Sequence, residues 1–140
     1  VTRNGWQHVE PVHVAVGSAP GTVHVSDDTH WVAGNIFGGR GEPVAMDTID
    51  ALCAARGIDH IDWVKMNIEG AEKDALRGME AMSSRVRHLT ISCHDFLGTE
   101  WGKSLDVVTG WLEGHGFTVS RRDEGDFVQR CYLYAARSGL

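Results

Sequence analysis

Residues 62–72 read DWVKMNIEGAE, and this stretch decides the architecture. Read as a strand, its side chains alternate between faces, so Lys65, Asn67 and Glu69 share one face and Val64, Met66 and Ile68 the other. A central parallel strand is normally apolar on both faces, because helices cover both. Three polar residues on one face, next to a Glu69-Gly70 stop, therefore call for an explanation. In open α/β sheets ligands bind at the carboxyl ends of the strands. On that basis Asn67 and Glu69 line a pocket and Lys65 braces one of them. A plainer account competes. Glu69, Glu72 and Asp74 open the following helix, where acidic side chains suit the helix dipole, and Gly70 serves the tight turn. For Glu69 the two accounts stay open. Asn67 favours function, since an amide at a buried strand end has few other partners, and Glu72 reads as a helix-start residue.

The flanks repeat a strand–helix rhythm. Upstream, Asp47 or Thr48 can cap a helix whose stripe is Ile49, Leu52 and Cys53 and whose end is Gly57. Downstream, residues 71–82 read as a helix with Ala75, Leu76, Met79 and Met82 on one side. Residues 88–93 (HLTISC) read as a strand, and residues 103–115 as a helix with Leu105, Val108, Leu112 and His115 in register. This alternation predicts an α/β fold with a parallel sheet covered by helices. The last 24 residues predict an antiparallel hairpin, with strands 117–121 and 127–136 about a charged turn at 123–126. At the front, 9–16 and 22–26 read as strands about the turn GSAPG, with His13 facing His24. Residues 27–43 carry Asp27, Asp28, four glycines and Pro43 and predict a long loop, a common place for function. The GNIFGGRG run within it, at 34–41, reads as a flexible cover for a substrate.

Composition bounds the partners. The chain has 140 residues, which is one domain spanning 1–140. With 42% hydrophobic and 23% charged residues it has the makings of a folded core. A net charge of −6 argues against nucleic acid and against an anionic membrane surface. No run of 18 apolar residues is present, so no spanning helix is expected, and no signal segment is seen at the front. Cys53, Cys93 and Cys131 are far apart and odd in number, which predicts buried, reduced thiols and a cytoplasmic setting. The chain starts at Val1, without an initiator Met, which points to a processed, excised or partial chain.

A second polar cluster, Ser92, His94 and Asp95, ends the strand after the decisive one. If the two strands are parallel neighbours, His94 and Asp95 open onto the same rim as Asn67 and Glu69. A histidine, carboxylates and an amide at one rim can serve as general acid/base groups or hard-metal ligands. The other histidines show no HxxxH or HExxH spacing, and the chain has no GxSxG, P-loop or GxGxxG motif. A small metal-dependent hydrolase is thus a distant third reading.

Taken together, residues 47–52 (DTIDAL), residues 61–78 (IDWVKMNIEGAEKDALRG) and the strand ending in His94 resemble the FkbM family of S-adenosylmethionine-dependent methyltransferases. That family shows a T-[LI]-D-x-L helix start, a K-x-D-x-E-G-A-E string and a strand ending E-x-H. Asn4-Gly5 followed by HVEPVHVAVG resembles its helix end and third strand, and Asn35-Ile36 its N-S-[LI] loop. The resemblance runs most clearly from about residue 4 to residue 95. It implies a Rossmann-like methyltransferase sheet, S-adenosylmethionine as cofactor, and a sugar or natural-product hydroxyl as acceptor. By analogy His94 is the first choice to take the acceptor's proton and Glu69 the second, with Asn67 beside them. Lys65, Asp95, Asn35 and Trp101 are expected to face the substrate.

Two departures follow from that comparison. The family's usual aspartate is Asn67 here, and its usual glutamate before the histidine is Ser92; with the carboxylate at 67 lost, a divalent metal is not expected. The family's earlier strand–Gly-rich loop–helix and the next strand, which hold the cofactor, are also missing. In the family order they lie between residues 12–16 and 62–68. Their absence predicts a partial sheet, with a gap completed by another chain or segment, or a rearranged sheet. The alternative is a non-catalytic remnant of the fold acting as a binding or assembly module.

Overall fold

A computed structural model describes residues 2–25, 41–100, 102–122 and 124–138. The first long helix, α1 (Ile49–Arg56), forms where both expected caps act together. Thr48 Oγ1 accepts the Ala51 N–H at 3.0 Å, and Asp47 Oδ1 accepts the Thr48 N–H at 2.8 Å. Gly57 ends the helix at φ 64°, a left-handed conformation that glycine adopts at little expense. From the first turn, Asp50 accepts the N–H groups of Ala81 and Met82 at 2.9 and 2.8 Å, anchoring α1 to the region after the second helix.

The fold is mixed α/β, as expected, but its strands form two sheets rather than one partial sheet. In the smaller sheet, β3 (Glu42–Asp47) is central. It runs parallel to β1 (Ala15–Val16) and antiparallel to β2 (Gly21–Val25). In the larger sheet, β4 (Ile61–Met66) pairs in parallel with β5 (Val86–Ser92). β7 (Tyr132–Ala136) then pairs antiparallel with β5, and β6 (Thr118–Arg121) antiparallel with β7. The expected antiparallel C-terminal pair is therefore present. Among the described residues β1 pairs only with β3, and β4 only with β5. These are the two strands that flank the expected gap.

Several local expectations change. The loop expected over 27–43 overlaps β3 at Glu42 and Pro43, and Val44 and Met46 give that strand a half-buried side. Pro43 is tolerated because β1 reaches only Met46 and Asp47, so no donor is needed from Pro43 on that side. With β3 between β1 and β2, His13 and His24 do not face each other; His24 lies opposite Pro43. Of the apolar run 9–16 only Ala15–Val16 is strand. The helix expected over 71–82 is shorter, α2 (Glu72–Arg77). It stops at Gly78, where a Cβ would run into the Gly17 carbonyl oxygen. The last connection holds a short helix, α4 (Phe127–Arg130), started by Asp126, whose Oδ1 accepts the Gln129 N–H at 2.8 Å.

Helices α2 and α3 (Leu105–Gly114) cover one face of the larger sheet. Leu76, Met79, Val108 and Leu112 pack there with Leu89, Ile91 and Leu133, and all are buried. Burying side chains of this size contributes about 1.5–3 kcal/mol each. Cys53, Cys93 and Cys131 are free thiols, all buried. The opposite face carries Trp63, His88, Thr90, Ser120 and Tyr134 around a groove of about 490 Å³. Trp63 is 62% exposed there, its indole N–H donating to Thr90 Oγ1 at 3.1 Å. Among the described residues no helix is long and apolar enough to cross a membrane.

Candidate active site

The polar residues converge where the parallel pair β4 and β5 ends. Beyond Met66 the chain reverses through Glu69 at φ 54° and Gly70 at φ 100°. A left-handed conformation costs a non-glycine residue about 1–2 kcal/mol, so something must hold Glu69 in it. Glu72 does. From the first turn of α2 its Oε1 accepts the N–H groups of Ile68 and Gly70 at 3.2 and 3.3 Å. The side chain thus reaches back from the helix start and fixes the turn from beneath.

On the neighbouring strand, β5 delivers His94 into a nearly sealed position, 2% exposed. Its Nδ1 lies 2.9 Å from Glu72 Oε1 and its Nε2 lies 3.2 Å from Glu69 Oε2. Glu72 is fully buried, whereas the Glu69 side chain keeps 23% of its surface at the rim. The Glu72 contact is an ion pair rather than an aligned hydrogen bond. Its Oε1 is already shared by two amides, and neither Glu72 Oε2 nor His94 Nδ1 has a hydrogen-bond partner among the described residues. The Phe96 ring, 5.3 Å from the imidazole and tilted, closes another side.

The electrostatics follow from this packing. Burial alone would push the Glu72 carboxyl up, but His94 and the backbone N–H donors outweigh it, so its pKa lies below the ordinary value. Burial alone would push His94 down, but the Glu72 and Glu69 carboxylates outweigh it and raise its pKa. Cys93, next in the chain, is pushed up to about 12, chiefly by burial, so its thiol is no nucleophile.

Of the residues expected at the site, Glu69 and His94 are in contact. Asn67 sits just past the end of β4 and is exposed rather than buried, and Lys65 is exposed on β4 itself. Asp95 is half-buried and turned inward. Its Oδ2 accepts the N–H groups of Ser104 and Leu105 at 3.0 and 2.9 Å, which starts α3. Asn35 and Trp101 lie outside the described residues. The residue missed is Glu72. Its position three residues after Glu69, across a turn, was the available signal. Among the described residues no group of three His, Cys, Asp or Glu side chains could hold a metal ion.

Residues 7–119 match the model of the methyltransferase FkbM domain. The chain is 38% identical over 69 residues to the 31-O-demethyl-FK506 methyltransferase FkbM of Streptomyces tacrolimicus, a match covering 49% of this chain and 25% of that protein. It is 30% identical over 94 residues to the AMB antimetabolite synthetase AmbE of Pseudomonas aeruginosa, a match covering 65% of this chain and 4% of that protein. The chain thus spans a quarter or less of the length of these relatives. No solved structure matches it. The family match covers most of the chain and includes the turn, the helix start and the histidine described above, and the chain belongs to the FkbM methyltransferase domain family.

Proposed function

We propose that this chain forms the acceptor side of an S-adenosylmethionine-dependent O-methyltransferase acting on a hydroxyl of a small molecule, a sugar or a natural product. One observation carries the proposal in a member of this family: a rim carboxylate, Glu69, joined to a buried imidazole, His94, at the ends of two parallel strands. Methyl transfer to oxygen needs in-line positioning of the acceptor and a group to take its proton. The Glu69–His94 pair supplies the second, which is worth on the order of 10²–10⁴ in rate. The relative named as a 31-O-demethyl-FK506 methyltransferase supports a natural-product hydroxyl as acceptor. Three free, buried cysteines support a cytoplasmic setting.

The described residues fit the acceptor better than the methyl donor. They bring carboxylates and an imidazole to the rim, whereas the 490 Å³ groove lies on the open sheet face, among Trp63, Thr90 and Tyr134. We therefore place the donor's binding strands in a further segment or partner chain that completes the sheet. The edges of β1 and β4, unpaired among the described residues, and the face bearing Trp63 support that arrangement.

Isothermal titration with S-adenosylhomocysteine tests the proposal. The expected result is no binding to this chain alone and micromolar binding once the completing segment is added. No binding by the completed domain would defeat it. That outcome would favour the second reading, a non-catalytic binding module, which the exposed Asn67 and the buried Ser92 at the family's acidic positions support.

A further inference from the structure

We infer that the acceptor's hydroxyl meets Glu69 rather than His94, and that Glu72 and His94 form a positioning pair that holds the Glu69 carboxylate ready at the rim. This rests on the methyltransferase reading for the identity of the reaction, but not for the geometry.

Access favours Glu69 over His94. His94 is 2% exposed, and its Nε2 is faced by Glu69 Oε2 at 3.2 Å. A hydroxyl could reach that nitrogen only by displacing Glu69, which is itself the more exposed group. Protonation points the same way. Two carboxylates flank the ring, one at each nitrogen, and an ionised carboxylate has no proton to donate. An imidazolium answers both charges: its Nε2 faces Glu69, and its Nδ1 forms the ion pair with Glu72 without an aligned hydrogen bond. The Phe96 ring, packed against it at 5.3 Å, brings no positive charge. Glu72 requires a cation on its own account. It is fully buried, and its Oε2 has no hydrogen-bond partner among the described residues, so the positive ring compensates its charge. An imidazolium cannot accept a second proton, whereas Glu69 can accept one.

The chemistry balances. As a lone pair of the acceptor oxygen forms the bond to the methyl carbon, the electron pair of the broken methyl–sulfur bond stays on the donor's sulfur, and the hydroxyl proton passes to Glu69. That proton becomes strongly acidic as the new bond forms, so a carboxylate is base enough. The left-handed backbone at Glu69, clamped by Glu72 through the Ile68 and Gly70 amides, aims this side chain.

The test is the titration of the His94 ring nitrogens in this chain by ¹⁵N–¹H NMR. The expected result is an imidazolium signal at both nitrogens with a midpoint above 6.5, a clear fall of that midpoint in E72Q and a smaller fall in E69Q. A neutral ring with one bare nitrogen at pH 6 would overturn the inference, and that measurement needs no variant. In the completed enzyme, E69Q should lower kcat by about 100-fold or more with KM retained. Full activity in E69Q would equally overturn it. Failure to bind S-adenosylhomocysteine would instead strike the methyltransferase reading and leave the titration result intact.

Discussion

Among the described residues, two of the histidine–glutamate pairs are of nearly equal length but opposite character. His115 Nε2 lies 2.8 Å from Glu80 Oε2, close to the 2.9 Å between His94 Nδ1 and Glu72 Oε1. The His115 pair is at the surface, with side chains 27% and 54% exposed, and Glu80 is also held by the Trp111 indole N–H at 2.8 Å. The imidazole stacks on Trp111 at 3.9 Å. That pair fastens the end of α3 to the segment after α2. The His94 pair is sealed from water and opens only through Glu69. Distance therefore does not mark the candidate site; burial does, because charges removed from water must be compensated by each other.

The largest expected contrast is in stability. Glu72→Ala removes the buried partner of the imidazolium, leaving it only the rim carboxylate of Glu69, and strips two amides of their acceptor; it should cost about 3–5 kcal/mol in urea unfolding. Its shape-preserving counterpart, E72Q, should cost less. A loss below about 1 kcal/mol for Glu72→Ala would erase the distinction between the two pairs.

The next contrast is in pH. Glu72 has a lowered pKa in the fold, so its stabilisation is present above about 4.5 and is lost as pH falls through the folded value. His94 has a raised pKa, so its stabilisation is complete below about 6.5 and is lost as pH rises through the raised value. The two overlap most fully between these limits. Thermal unfolding across pH should show that window in the native chain, flattened in E72Q and retained in Glu80→Ala.

A middle effect separates holding the site from lining it. Asp95→Ala removes the acceptor that starts α3 and should cost about 1 kcal/mol, as loss of a helix cap does. Unchanged chemical denaturation in that variant would return Asp95 to the substrate-facing role expected from sequence. The smallest effect is at the surface. Glu80→Ala should cost about 0.5 kcal/mol, since solvent screens an exposed pair.

Legibility followed locality. Helix α1 was readable because Thr48 and Gly57 act on backbone groups within a few residues. The α/β class was readable from alternation in the middle of the chain. Strand β3 was hidden because Pro43 and the glycines before it look like a loop, and only its pairing with β1 and β2 makes it a strand. The contact of Glu69 with His94 was anticipated from two strand ends sharing a rim. Glu72 was not, because at a helix start an acid has an ordinary explanation in the dipole, and only tertiary structure shows its side chain turned back under the turn. Asn67 was expected to be buried because β4 was taken as a central strand; in the described residues β4 is an edge.

The central claim is that the ends of β4 and β5 are where this domain works. Backbone amide shifts recorded while S-adenosylhomocysteine and an acceptor alcohol are added to the completed domain test it most directly. The account predicts shifts at Glu69, Gly70, Glu72 and His94, with Glu80, Trp111 and His115 unmoved. Shifts confined to the Glu80–His115 surface, with the strand ends silent, would contradict it.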